Sequence, residues 1–236
     1  NTIDVFVNHE QSRVPFLGDN ASYYTDASLP KRTRFIPVVL AADRLAEKEG
    51  VSREQLDAVA LVSQQRAGAA EADPALTASR VPLGGLSRDE CARPQSTLQS
   101  LAAMAPSFAA LATQYADALD GPIDHRHTIG HAPPICDGAG LALIGGAPAA
   151  SDKPRARILG YAESGGDPHA SLLAGFGAMA KVLERTGLTL ADMDRIEFME
   201  AFAVTIAKFL RDYPVDPGKV NVAGGHIARG HPMGAS

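Results

Sequence analysis

The chain has 236 residues, 45% of them hydrophobic, enough for a sizeable core in one large or two small domains. Its formal net charge of −5, with basic residues scattered except at Lys31-Arg32-Thr33-Arg34, gives no field for binding nucleic acid. No run of about 18 apolar residues is present to span a membrane, and Cys91 and Cys136 form neither a metal-binding spacing nor a disulfide framework, which fits a reducing, cytoplasmic setting.

In chain order, Ile3–Val7 reads as a buried strand, and residues 10–34, rich in polar, Pro and Gly punctuation, as loop. Between Pro37 and Glu47, Val38, Ala42, Leu45 and Ala46 share a helical face, and Gly50 supplies a stop. Ser52 with Gln55 forms a capping box for a second helix whose stripe is Leu56, Val59, Ala60 and Ala67. Residues 73–97 are irregular, and a short amphipathic piece around Leu98, Leu101 and Met104 ends near Pro106. Composition changes near Asp124. A turn from Cys136 leads into a predicted strand, Leu141–Ile144, and residues 147–155 read as a linker.

An alternating pattern follows: strand Arg157–Tyr161, helix Gly175–Thr186 stopped by Gly187, strand Arg195–Phe198, helix Glu200–Asp212 and strand Val220–Val222. Thr189 with Asp192 gives another cap signal, and Phe202, Ile206, Phe209 and Leu210 fall on one helix face. This order implies α/β layering. The sequence opens in a strand-like run and closes inside a glycine-rich turn, so both ends are expected to be interior to a longer protein.

The segment richest in chemistry is Asn221 to Ser236, which contains Gly224-Gly225-His226 and Gly230-His231-Pro232 after a strand. Glycines let backbone approach a ligand closely, and a histidine held between Gly and Pro suits proton transfer near neutrality. By pattern alone, a structural turn with an exposed histidine is the simpler reading. The run Asp124, His125, His127 and His131 is only loosely metal-like and has no cysteine pair to support it, so no metal site is assigned.

Several motifs, in order, resemble the thiolase family. Asn221 to Ser236 resembles its strand, Gly-Gly and Gly-His-Pro signature. Met199-Glu200-Ala201-Phe202-Ala203 resembles the Asn-Glu-Ala-Phe-Ala box, and Asp89-Glu90 with Arg93-Pro94 an Asp-Glu-x-x-Arg-Pro stretch. Ser52 to Ala67 resembles a loop-domain helix, Gly130 to Gly138 the Gly-Asn-Ala-Ser loop before Asn-Asp-Gly, and Gln11 to Pro15 the segment after the first strand.

The resemblance implies a thiolase-like layered αβαβα fold with an inserted, mostly helical loop domain. Residues 1–9 and 127–149 would belong to the N-terminal half, 10–126 to the loop domain that covers coenzyme A, and 150–236 to the C-terminal half. The implied activity is interconversion of 3-oxoacyl-CoA plus CoA with acyl-CoA plus acetyl-CoA through a cysteine-bound acyl intermediate. Acyl-CoA and CoA would be its ligands, a homodimer or homotetramer its assembly, and no cofactor beyond the substrate CoA is required. His231 would be the catalytic histidine, Met199 would occupy the oxyanion-hole position, and Gly130, His131, Ala132, Pro133, Ala201 and Phe202 would line the pocket.

The family's nucleophilic cysteine would precede Ile3, and its second cysteine would follow Ser236. Met199 stands where the family has Asn, and Met donates no hydrogen bond. His131 and Pro133 replace Asn and Ser, although His131 is a candidate to hold the water that Asn would fix. These departures support an alternative, a catalytically impaired thiolase-like protein that binds CoA esters. His231 is expected at the base of a cleft near Met199.

Overall fold

A computed structural model describes residues 36–146 and 156–232. The expected strand at 3–7, loop at 10–34 and linker at 147–155, with the basic run at 31–34, lie outside the described residues.

The first helix, α1 (Val38–Lys48), buries Val39, Leu40, Ala42, Leu45 and Ala46. It ends as the sequence predicts. Gly50 turns left-handed at φ 64, its N–H reaches the Glu47 carbonyl at 3.2 Å, and the Val51 N–H reaches Ala46 at 2.9 Å. One residue later Ser52 opens α2 (Arg53–Glu71) with the expected reciprocal box: Gln55 N–H donates to Ser52 Oγ at 3.3 Å and Ser52 N–H to Gln55 Oε1 at 2.8 Å. The buried stripe of α2 is Leu56, Ala60, Ser63, Ala67 and Ala70, small enough that backbone packs close on it.

Short helices follow: α3 (Pro74–Thr77), α4 (Leu98–Ala102) and α5 (Ala109–Gln114). The expected amphipathic piece is α4, capped by Thr97 with Ser100. The later helices are α6 (Ala174–Thr186), closed by left-handed Gly187, α7 (Ala203–Asp212) and α8 (His226–Arg229). Helix α2 is the hub on which α4, α7 and α8 pack, and α7 also meets α1. The larger core joins α1 and α2 to Leu101, Phe202, Ala203, Val204 and Ile227. The smaller gathers Ile206, Phe209 and Val220 with partly buried Phe176, Phe198 and Leu210.

The strand expectations need correction. Among the described residues the only pairing near the predicted strands is one parallel bridge, Ile196 with Val220, in which Ile196 N–H donates to Lys219 O and Asn221 N–H to Ile196 O, both at 2.9 Å. Asn221 then turns left-handed at φ 45. Its side-chain amide continues the pairing in place of backbone, accepting from Phe198 N–H at 2.6 Å and donating to Phe198 O at 2.9 Å. Leu141–Ile144 and Arg157–Tyr161 form no ladder, and Leu141 and Leu143 are fully exposed. An apolar run becomes a strand only when backbone partners lie alongside it, and none does among the described residues. The predicted helix from Glu200 starts instead at Ala203, because Glu200 and Ala201 stay outside the helix and Glu200 is committed to a buried network.

Candidate active site

Two glycine-rich segments distant in sequence meet at the turn before His231. The His231 N–H donates to the Pro134 carbonyl at 3.2 Å. Gly230 adopts φ 85, and a Cβ there would fall 2.4 Å from Cys136 Sγ and 3.1 Å from Pro134 O. A Cβ on Gly138 would meet the Pro232 ring at 2.9 Å. Close approach excludes a side chain at both positions, and the left-handed backbone of Gly230 disfavours one independently. The His231 ring stands edge-on to His226, centroids 5.7 Å apart. Burial, and then the charge of the neighbouring His231, hold His226 below the ordinary histidine value, and its buried Nδ1 has no hydrogen-bond partner.

A buried carboxylate holds the turn in place. Glu200 accepts from Ser63 Oγ at 2.8 Å, from Asn221 Nδ2 at 2.9 Å and from Ile227 N–H at 3.1 Å. Ser63 Oγ also accepts from Gly225 N–H at 2.9 Å. Burial pushes the Glu200 carboxyl up, and the bonds from Asn221 and Ser63 oppose that shift without cancelling it. The network joins α2, the 199–203 box and the glycine turn. Sequence reasoning gave no role to Glu200, Ser63, Asn221 or His226. All four lie inside the segments that resemble the family's motifs, so their position was the available signal, but nothing in the sequence showed that they meet.

The remaining expected pocket residues are dispersed. Met199 and Ala201 line an apolar cavity of about 690 Å³ with Ile158, Phe176, Met179 and Phe198, and His231 is not among its lining residues. Gly130 packs on α4, where a Cβ would meet Leu101 at 2.9 Å. Ala132 is partly buried against the larger core, and Pro133 is half-exposed beside it in sequence. Phe202 is buried and meets His127 edge-on, centroids 5.8 Å apart; His127 also meets His131 at 5.9 Å.

His131 is fully buried with both ring nitrogens engaged: Nδ1 accepts from Thr128 N–H at 3.1 Å, so Nε2 carries the proton and donates to Asp57 Oδ1 at 2.6 Å. Burial lowers its pKa to about 4 despite Asp57. It therefore has no nitrogen left to fix a water, which corrects that expectation. The rest of the His-rich run is held through Nδ1, while the buried Nε2 of His127 has no hydrogen-bond partner. His125 and His127 place their Nδ1 atoms 2.8 and 2.7 Å from the two oxygens of buried Asp43. Burial would raise Asp43, but the side-chain and backbone bonds from His127 outweigh it and hold the carboxyl below its ordinary value.

Residues 20–145 match the family profile described as "Thiolase, N-terminal domain", and residues 152–236 the one described as "Thiolase, C-terminal domain". The chain is 37% identical over 212 residues to the Homo sapiens mitochondrial 3-ketoacyl-CoA thiolase, covering 85% of this chain and 50% of that protein. It is 39% identical over 211 residues to the acetyl-CoA acetyltransferase of Escherichia coli (strain K12), covering 84% and 50%. A crystal structure of the human mitochondrial 3-ketoacyl-CoA thiolase in complex with CoA superposes with a TM-score of 0.76 at 36% identity, covering 85% of this chain and 49% of that one. The chain thus spans about half the length of the curated relatives it matches, and its fold is the layered α/β fold of these structures.

Proposed function

Because the chain belongs to the thiolase family, we propose that it forms part of an acyltransferase interconverting 3-oxoacyl-CoA plus CoA with acyl-CoA plus acetyl-CoA. The observation that carries this reading is the junction at His231, where the Gly230 turn is pressed onto the 134–138 loop and the His231 N–H is held by Pro134 O. In the proposed mechanism a cysteine outside this chain is acylated, and His231 accepts the thiol proton and later donates to the thioester oxygen. A thiolate is the attacking species, so a fixed neighbouring base raises its population at neutral pH. Glu200, Ser63 and Asn221 act as positioning residues, since they set the turn that leads to His231.

CoA and acyl-CoA are the proposed ligands, and the relative crystallised with CoA supports that choice. Residues 10–126 are proposed as the loop domain over the ligand, between halves formed by 1–9 with 127–149 and by 150–236; within the described part of 10–126 the regular elements are α1 to α5 and one short 3-10 turn, Ala116–Ala118. A homodimer or homotetramer is the proposed assembly. The binding-only alternative draws on Met199, which offers no donor, and on His131, whose nitrogens are both used internally. Thiolysis of acetoacetyl-CoA by the whole protein separates the two: turnover supports the transferase, and CoA-ester binding without turnover supports the alternative.

A further inference from the structure

The chain has 2 cysteines, both free and partly buried, and they lie on two loops that meet at the turn before His231. The meeting is built from both sides. Cys136 Sγ lies against Gly230, close enough that a Cβ there would stand 2.4 Å from the sulfur. Cys91 sits on a tight turn in which its N–H donates to Asp89 Oδ1 at 2.8 Å and its carbonyl accepts from Arg93 Nη1 at 2.7 Å. Asp89 Oδ2 is in turn 3.4 Å from Arg229 Nη1. Neighbouring residues of one turn, Arg229 and Gly230, therefore hold the two loops that carry the thiols.

We propose that Cys91 and Cys136 form an oxidisable dithiol that a small uncharged organic disulfide closes to an intramolecular disulfide. One thiol, as thiolate, attacks a sulfur of the reagent, forming a mixed disulfide and expelling one reagent thiolate. The second cysteine attacks the protein sulfur of that mixed disulfide, and the other reagent thiol leaves. The two protons lost by the cysteines end on the two released thiols, so the protein loses two electrons and the reagent gains them. Because neighbouring residues Arg229 and Gly230 already hold the two loops together, little backbone movement is needed to bring the sulfurs to bonding distance, about 2.05 Å. A metal-binding alternative lacks ligands, because no group of three or more His, Cys, Asp or Glu able to hold an ion occurs among the described residues. The link would tie the 89–93 turn to the loop whose Pro134 carbonyl accepts the His231 N–H.

Asp89 and Glu90 outnumber Arg93 near Cys91, and Asp89 and Asp137 lie near Cys136, so the local charge disfavours an anionic reagent. The test therefore incubates the folded 236-residue chain with bis(2-hydroxyethyl) disulfide, then denatures it, alkylates with iodoacetamide and maps peptides by mass. The expected result is loss of both alkylatable thiols, with a peptide pair joining Cys91 to Cys136 in monomeric chain. Cys91→Ser and Cys136→Ser should each stop at one stable mixed disulfide. Two reagent adducts without a cross-link, both thiols still alkylatable, or cross-links only between chains would overturn the proposal. The decisive readout is on the unsubstituted protein, so it survives misfolding of either variant.

Discussion

The Glu200 carboxylate accepts a hydrogen bond from the Ser63 hydroxyl at 2.8 Å across 137 residues of sequence, and the same Ser63 oxygen accepts from the Gly225 N–H at 2.9 Å. One side chain of α2 thus fixes both the acidic residue beside Met199 and the glycine turn that precedes His231. A Cβ on Gly225 would come 2.1 Å from Glu200 Cδ, so the carboxylate occupies the space a side chain would need.

Removing that carboxylate strands three donors at once. Glu200→Ala should lower unfolding free energy by about 3–5 kcal/mol, the cost of breaking a buried charged network from one side. Glu200→Gln should cost less, about 1–2 kcal/mol, since its amide oxygen keeps two partners while its NH₂ opposes Asn221 Nδ2. Urea unfolding measures both. Equal and small losses would mean that the network does not hold the turn.

Gly224 is the stricter test of the turn. Its φ is +80, and a Cβ there would lie 2.7 Å from Ala67 N and Ser63 O, backbone atoms that cannot swing aside. Gly224→Ala should destabilise by at least about 3 kcal/mol through strain and overpacking together. Gly84 has φ +59 with nothing within 4 Å, so Gly84→Ala should cost only about 1 kcal/mol of backbone strain. Thermal melts of the two variants should separate clearly, and similar shifts would contradict the close packing of α2 on the turn.

The capping box of α2 and the stop at Gly50 were legible because each lies within a few residues, where side chain and backbone meet through local geometry alone. The strands were not. Leu141–Ile144 has the apolar composition of a strand, but a ladder depends on partners from elsewhere, and the described residues supply none. In the site, Gly230 and His231 were legible as a motif because a turn pressed on another segment demands glycine. The Glu200–Ser63 bond was not, because no local periodicity marks two residues that meet only after folding. The His-rich run was misleading for the same reason: the sequence shows the histidines but not Asp43 and Asp57, which claim them.

Protonation of His131 should appear in the pH dependence of stability. Burial sets its folded value near 4, below the ordinary 6.5, so between these values the unfolded chain binds a proton that the folded chain refuses. This contribution is complete above the unfolded value and is lost as pH falls through the window, on the order of 3 kcal/mol at full shift. Urea midpoints at pH 7 and pH 5 should converge in His131→Asn relative to the parent. An unchanged pH slope would show that His131 titrates in the folded protein as it does when unfolded.

Met199 should limit the rate without limiting binding. It lines an apolar cavity and offers no donor, whereas one oxyanion donor is worth about 10²–10³ in rate. Met199→Asn should raise kcat for thiolysis by about tenfold or more with KM changed less than about twofold, the mark of an interaction made in the transition state. Steady-state kinetics with a 3-oxoacyl-CoA decides it; an equal or slower variant would mean that the oxyanion is held in another way.

His231, on its clamped turn, is proposed to serve acyl transfer between CoA thioesters. The most direct measurement is steady-state thiolysis of acetoacetyl-CoA with CoA by the whole protein and by its His231→Ala variant, with urea unfolding to establish equal stability. Measurable turnover by the parent is expected, with kcat lower by about 10²–10⁴ in the variant and KM little changed. A parent that binds acetoacetyl-CoA without cleaving it, or a His231→Ala protein as fast as its parent, would contradict it.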